Sequence, residues 1–552
     1  MSGDVVMRGT TSDTLRGRAV IADHTTERAS RWIYILLLIP VSVFIISLFI
    51  RPVMSFDTAA GFLVFRSMLQ GGPFNYVIAP DPQNIAHDVG TFLSWWSPGQ
   101  YLVPGAFVWL GTDYGVAMSL TALIATIVGV LGWVHVARRF DVSCFVLFLF
   151  VLGLVTFRYT LPFTFFIGGE VVLFAVSPWV LSALQWAIQK PPAVSFAISV
   201  LSFALCFFAK LSGLFVFAAT VAGISFVDAV QRRRLTSSAL AMWAGCAAAA
   251  LCFFMFWLVR GLTPASAIKD AFKWSDVWFP VAAAAFSGFS AMNFLQDLHI
   301  LAWRLIMHSP IPDVSAPTVI GYASYVLGPL GLLLMAWVWL RLRNTRYRPV
   351  ATRLFPIIGL YIAAYIAMYV HANTISFEER YFYYAGILFF LMLLVAMDQR
   401  RGFVARAIPI LIVGAFAAYG LTAYAHEAMR SRHYDRASGT AMLGVSPVVL
   451  EYLRSEMAAH NWQHAIAAIP QPEAANGLPH YRILFSFDFE DYASLAEIAR
   501  QRWAGRTDKI FIVLDQTMLD DGKAQAVLKD FVDYDLAKWD QVKLDGMVVF
   551  SQ

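Results

Sequence analysis

The sequence predicts an α-helical multi-pass membrane protein of about eleven transmembrane helices, with interfacial helices in its outer loops and a small C-terminal α/β domain outside the membrane. Three observations predict it. Of the 552 residues 59% are hydrophobic and 14% charged, against roughly 45–50% and about 25% in soluble domains. The apolar residues come in runs of about 20, the length that crosses a hydrocarbon core. Basic residues cluster between alternate runs, which is how membrane orientation is encoded. The charge is also uneven along the chain: from Ser431 to Gln552 there are 12 Lys+Arg and 17 Asp+Glu, leaving 29 and 19 before them, so a body of +10 is joined to a tail of −5. These numbers exclude an ordinary soluble enzyme. They also argue against nucleic-acid binding, because the basic residues form short clusters between apolar runs and no continuous patch. Cys144, Cys206, Cys246 and Cys252 lie within apolar runs, with neither disulfide-framework nor zinc spacing.

In chain order, residues 1–31 form a cytoplasmic arm. The run from Trp32 to Ile50 is too long for a signal peptide and lacks a small-residue cleavage site, so it reads as a retained anchor. The remaining crossings are placed at 114–136, 143–160, 169–188, 193–209, 211–229, 237–259, 321–340, 354–370, 381–397 and 404–425. With the N-terminus inside, the clusters Arg138-Arg139, Lys190, Arg232 to Arg234, Arg341 to Arg353 and Arg400 to Arg406 all fall on the cytoplasmic side. Lys210 splits the stretch 193–229 into two crossings, because a single crossing would put every later basic loop on the wrong side. The same register places loops 51–113, 161–168, 260–320 and 371–380, together with the tail, outside. The segments Asp57–Gln70 and Ala267–His308 alternate apolar and polar residues and read as interfacial helices. In the tail, 431–552, Ser446-Pro447 starts a helix over 447–460. Ile469–Pro479 reads as a Pro-rich linker, Arg482–Phe487, Lys509–Leu514 and Gln541–Phe550 as strands, and 491–503 and 517–531 as helices. No internal repeat is evident.

Ionisable groups near hydrocarbon are costly, so each is a functional candidate. Asp57, Asp81, His87, Asp88, Glu170, Lys210, His308, His371, Glu378, Glu379 and Arg380 all fall on the outer side in this topology. Asp57 follows the first crossing among aromatic residues. It is either a base for a hydroxyl or the N-cap of the helix after it. Asp81, His87 and Asp88 form a polar cluster that reads as a solvated turn or as a site for substrate hydroxyls, and the sequence leaves a divalent cation open there. Trp95 and Trp96 offer flat faces for a sugar ring or an interfacial anchor. Lys210 and Arg380 suit a lipid phosphate, as a point charge and a planar fork, or else snorkel to headgroups. Glu170 opens a helix, where an acid complements the dipole or faces the site.

Taken together, these residues resemble the GT-C superfamily of integral-membrane glycosyltransferases, which use polyprenyl-phosphate-linked sugars. The resemblance covers roughly residues 31–430. It rests on Asp57 in a long outer loop, on the Lys-x-x-Gly segment Lys210 to Gly213, and on Arg380-Tyr381 entering a late crossing. The first-loop run Gly71-Gly72-Pro73-Phe74-Asn75-Tyr76 also resembles bacterial members of that fold, and the outer C-terminal domain fits branches such as the lipid A aminoarabinose transferases. The resemblance implies Asp57 as the base and Lys210 and Arg380 as donor-phosphate ligands; beside these, Glu170, His87, Asp88, Asp81, Trp95, Trp96, Glu378, Glu379 and Tyr381 are expected to contact the sugar or acceptor. Protein O-mannosyltransferases carry an Asp-Glu pair in the first loop. Here Asp57 is followed by Thr58, a departure from that branch.

A sugar on a phosphate already has a good leaving group, so transfer needs a base for the acceptor and cations for the departing phosphate. The expected protein is therefore an inverting transferase of the cytoplasmic (inner) membrane, acting on the extracytoplasmic face. Its partners would be the bilayer, a polyprenyl-phosphate sugar donor, and a glycan, glycolipid or protein acceptor, with no nucleic acid and no resident metal called for. Two alternatives stand beside it: a polymerase or ligase using diphosphate-linked oligosaccharides, and a lipid or sugar flippase, for which repeat symmetry and mid-membrane charges are expected.

Overall fold

The computed structural model describes residues 32–81, 84–94, 96–157, 161, 168–260, 272–307, 316–371, 377–399, 403–431, 433–442, 445–469, 472–484, 508–516 and 539–551. The N-terminal arm, Trp95, His308 and the tail helices expected at 491–503 and 517–531 lie outside these residues, as do the side chains of Asp81 and His87.

The chain opens with α1 (Trp32–Ser47) and α2 (Phe56–Leu69), then a hairpin of β1 (Tyr76–Asp81) and β2 (Asn84–Phe92), then α3 (Gly99–Trp109). Next come α4 (Tyr114–Arg138), α5 (Cys144–Thr156), α6 (Gly169–Ala187), α7 (Pro192–Ala209), α8 (Gly213–Arg232) and α9 (Ser237–Phe253). The helical body is completed by α10 (Ser275–Phe286), α11 (Ala291–Met307), α12 (Ala316–Leu342), α13 (Arg348–His371), a 3-10 turn Glu379–Phe382 leading into α14 (Tyr383–Asp398), and α15 (Phe403–Arg430).

Among the described residues nine helices are long and apolar enough to cross a bilayer, and they match nine of the eleven predicted crossings. The first and third predicted crossings are shorter apolar helices, Trp32–Ser47 and Cys144–Thr156. Side-chain oxygens mark several of the starts: Asp113 accepts from Val116 N (2.7 Å), Ser143 from Val146 N (3.2 Å) and Thr236 from Ala239 N (3.2 Å). Lys210 does separate two helices, α7 and α8. The segment expected to lie along the interface is two helices, Ser275–Phe289 and Ala291–Ile306, bent by 92°. The bend falls at Ser290, whose backbone is left-handed at φ 56°.

The most deeply buried span runs from Glu379 to Asp398 at the centre of the bundle. The turn at Ser287–Phe289 packs against it so closely that a Cβ on Gly288 would stand 2.3 Å from Gly386 O, so glycine is needed there. Helix ends gather in two groups. At one end Ser143 Oγ donates to Asp398 Oδ2 (2.8 Å) and Tyr347 OH to the Asp141 carbonyl (3.4 Å). The start of α2, the start of α6, the α7–α8 junction and the entry to α14 gather at the other.

The first outer loop departs from expectation. Its polar cluster is no isolated turn: Asp81 and Asp88 belong to the strands of an antiparallel hairpin, with Pro80 opposite Asp88. From Arg430 onward, β3 (Tyr434–Asp435) pairs with β4 (Thr440–Ala441), and α16 (Pro447–His460) occupies its predicted range with Ser446 as N-cap. A five-stranded sheet follows in the order β6-β5-β7-β9-β8, where β5 is Ile466–Ala468, β6 Arg482–Leu484, β7 Ile510–Asp515, β8 Asp540–Leu544 and β9 Met547–Ser551. β5 runs parallel to β6 and β7, as an α/β unit requires. The single strand expected at Gln541–Phe550 is instead the β8–β9 hairpin. It turns at Asp545-Gly546, both at positive φ (44° and 78°), a two-residue turn that suits the strand twist.

The expected linker Ile469–Pro479 is also corrected. It holds a short helix, α17 (Pro472–Ala475), and Ala474, Ala475 and Leu478 are fully buried. Here the tail docks onto α2. Arg66 donates to the carbonyls of Ala475 (3.1 Å), Pro479 (3.0 Å) and Tyr481 (2.6 Å), and Asn476 Nδ2 donates to the Ala59 carbonyl (3.0 Å). Small side chains and a prolyl backbone let the segment lie close enough for those bonds.

Candidate active site

Asp57 lies in the first turn of α2, but the cap is Ser55, whose hydroxyl accepts from Thr58 N (3.4 Å). The carboxylate of Asp57 is thereby left for other partners. Gln100 of α3 braces the turn from behind, its Nε2 donating to the Asp57 carbonyl (3.2 Å). Burial raises the neighbouring Tyr101 hydroxyl above its usual pKa, and it remains a donor to Asn75 Oδ1 (2.7 Å).

Four distant pieces of chain converge on one another. Arg380 Nη1 lies 3.1 Å from Asp57 Oδ2 and 3.3 Å from Glu170 Oε1, and its Nε pairs with Glu378. Lys210 Nζ pairs with the same Glu170 oxygen. Tyr381 underlies both cations, with Lys210 Nζ 5.2 Å and the Arg380 guanidinium carbon 5.3 Å from its ring centre, within cation–π range. Gly169 makes the approach possible: a Cβ there would meet Ala209 O at 2.5 Å and Lys210 Cβ at 2.8 Å. The Tyr381 carbonyl accepts a hydrogen bond from Tyr361, one of a row of tilted neighbouring rings, Tyr361, Tyr365 and Tyr369, on α13. Behind it, the Phe382 carbonyl accepts from Ser287 Oγ (3.0 Å).

Asp57, Glu170, Lys210, Glu378, Arg380 and Tyr381 are thus brought together from the predicted set. Trp96 packs near Phe56, the chain neighbour of Asp57, with ring centres 6.5 Å apart. The structure takes Asp88 and Glu379 elsewhere. Asp88 Oδ1 accepts from Arg482 Nε (2.9 Å) at the tail joint. That joint is beside Arg66, nine helical residues or about 14 Å along α2 from Asp57. The Glu379 carboxylate is buried and accepts from Met292 N (3.3 Å) and Asn293 N (2.8 Å), closing the start of α11. An acid at a helix start is favoured there by the dipole, the reading first given to Glu170. His371 ends α13 on an exposed turn. Asp81 and His87 sit on the hairpin strands, with side chains outside the described residues. Among the described residues no group of three or more His, Cys, Asp and Glu is placed to hold a metal ion.

Sequence reasoning missed Gln100, Ser55 and the tyrosine row. The row had a signal, since Tyr361, Tyr365 and Tyr369 recur every four residues and share a helix face. Gln100 had none, because its role depends on how α3 packs against α2.

No protein-family profile matches the sequence, and no curated protein aligns with it significantly. Solved structures do match. ArnT from Cupriavidus metallidurans, crystallised bound to undecaprenyl phosphate, shares 13% identity over 95% of this chain and 98% of its own, with a TM-score of 0.53; its apo form gives 0.54 over the same shares. The chain has the GT-C fold. The oligosaccharyltransferase of Archaeoglobus fulgidus is more distant, at 13% identity over 90% of this chain and 71% of its own, with a TM-score of 0.44. The GT-C likeness to ArnT runs through the tail as well as the helices, since the matched share reaches 95% of the chain.

Proposed function

We propose that the protein is an inverting glycosyltransferase that moves a sugar from a polyprenyl-phosphate donor to an acceptor hydroxyl at the outer membrane face. One observation carries this reading: a carboxylate suited to be a base, Asp57, pairs with Arg380, which shares a Glu170 oxygen with Lys210, so that a base and two cations suited to a phosphate form one cluster. The GT-C fold supports it, as does the undecaprenyl phosphate bound by ArnT. The segregation of helix ends supports the topology, with the N-terminus and basic loops cytoplasmic and the cluster and residues 431–552 outside. On that topology the tail docks beside the helix that carries Asp57 and serves to position the acceptor.

In the transfer, the acceptor oxygen attacks the anomeric carbon as its proton passes to Asp57. The carbon–oxygen bond to phosphate breaks on the opposite face, and the electron pair leaves with the phosphate, held by Lys210 and Arg380. One displacement inverts the anomeric centre, and no covalent nucleophile takes part. Trp96, Tyr381 and Glu378 border the space for the sugar.

The test is transfer of a radiolabelled sugar from polyprenyl phosphate in membranes containing the protein or Asp57→Asn. Removing a general base costs about 10²- to 10⁴-fold, and the variant should lose transfer by that factor. Undiminished transfer would remove Asp57 as base, and no transfer by the parent protein from any polyprenyl-phosphate sugar would overturn the reading.

A further inference from the structure

Glu170 is unlike the other acids of the cluster. Asp57 and Glu378 each pair with Arg380, whereas one oxygen of Glu170, Oε1, is shared between Lys210 Nζ and Arg380 Nη1. Its side chain is 5% exposed, against 31% for Asp57 and 36% for Glu378. A single anionic oxygen bridging a lysine and an arginine is what a phosphate oxygen would do in the same place. The backbone holds Glu170 there, since it opens α6 and Gly169 lets that turn press against Lys210. Both cations therefore already have an anion between them before any lipid arrives.

We propose that Glu170 is an internal counter-anion that competes with the lipid phosphate for Lys210 and Arg380 and drives the product phosphate out of the site. The inference rests on the donor-phosphate reading of those two cations. Charge gives the competition a direction. The donor is a phosphodiester with one negative charge, and the product is a phosphate monoester carrying about −1.5 to −2 at neutral pH. A bare pair of cations would hold the product more tightly than the donor and stall turnover. An anion fixed next to them weakens both complexes and offers the cations a replacement partner as the product leaves. Without it, the buried Lys210 would lose its paired carboxylate between turnovers, a costly state.

The measurement is equilibrium binding of radiolabelled polyprenyl monophosphate to the full-length protein in phosphatidylcholine nanodiscs, with polyprenol and inorganic phosphate as separate arms. Glu170→Gln should bind the lipid phosphate about tenfold or more tightly than the parent, the factor of a modest coupling energy. In transfer assays its KM and kcat should fall together, with a burst followed by slow release. Glu170→Asp keeps the charge but draws it back, and should lie between the two. It also decides the question if Glu170→Gln does not fold. Equal or weaker binding by the folded variants would overturn the inference and make Glu170 a ligand for the substrate. Failure of parent and variants alike to bind polyprenyl phosphate would overturn the donor reading itself. Tightening seen with inorganic phosphate but not with the lipid would overturn a lipid-borne ligand.

Discussion

Two regions of this molecule use charged side chains between elements far apart in sequence, and they use them differently. In the cluster at the helix ends, Arg380 faces three carboxylates and Glu170 faces two cations. At the joint between α2 and the tail, Arg66 donates to three backbone carbonyls, and Asp88 faces Arg482. Carbonyls belong to the folded backbone and cannot leave, so Arg66 fastens two parts of the chain. Carboxylates with shared partners can be exchanged for another anion without unfolding anything. A charge with several side-chain partners marks a place for a ligand, whereas one held by main chain marks a joint.

Substitutions should separate the two regions in a graded order. Arg380→Ala has the largest expected effect on chemistry, a fall of about 10³-fold in transfer, because it removes a fixed donor to developing charge. Arg380→Lys should recover only part of it, since a point charge cannot hold Asp57 and Glu170 together. If Lys restored full transfer, fork geometry would be irrelevant and the contrast with Lys210 would fail.

At the joint, Arg66→Ala should lower stability by about 3 kcal/mol, from several hydrogen bonds made by a charged donor. A detergent-solubilised thermal melt would register this, with transfer surviving below the new melting temperature. Abolished transfer without a change in melting would make the joint part of the site. Asp88→Asn is the smallest expected change. Its carboxylate is 40% exposed, and an exposed pair contributes within about 1 kcal/mol, so melting and transfer should both stay near the parent values. A large loss of transfer would return Asp88 to the substrate-contact role first read from its loop.

Much of this fold was legible because bilayer and helix rules are local. Each predicted crossing is a helix, and Ser446-Pro447 marked the start of α16. The misreadings share a cause. The hairpin at Tyr76–Phe92 and the docking segment near Pro472 are stabilised by contacts with other elements, which composition does not show. The β8–β9 turn differs, since Asp545-Gly546 is itself a two-residue turn signal within the stretch expected as one strand.

For the site, the sequence by itself determined which ions are scarce and where they interrupt apolar runs. Hydrocarbon imposes that sorting residue by residue, whatever the neighbours. Only the tertiary structure decided which of them meet. Arg380 and Asp57 are 323 residues apart, and their contact depends on how α14 seats at the bundle centre and how Ser55 and Gln100 turn the start of α2. The same packing turned Glu379 toward α11 and Asp88 toward the tail. An ion pair needs its charged atoms within about 4 Å of each other, so the pairing had to wait for the fold that brings those residues into contact.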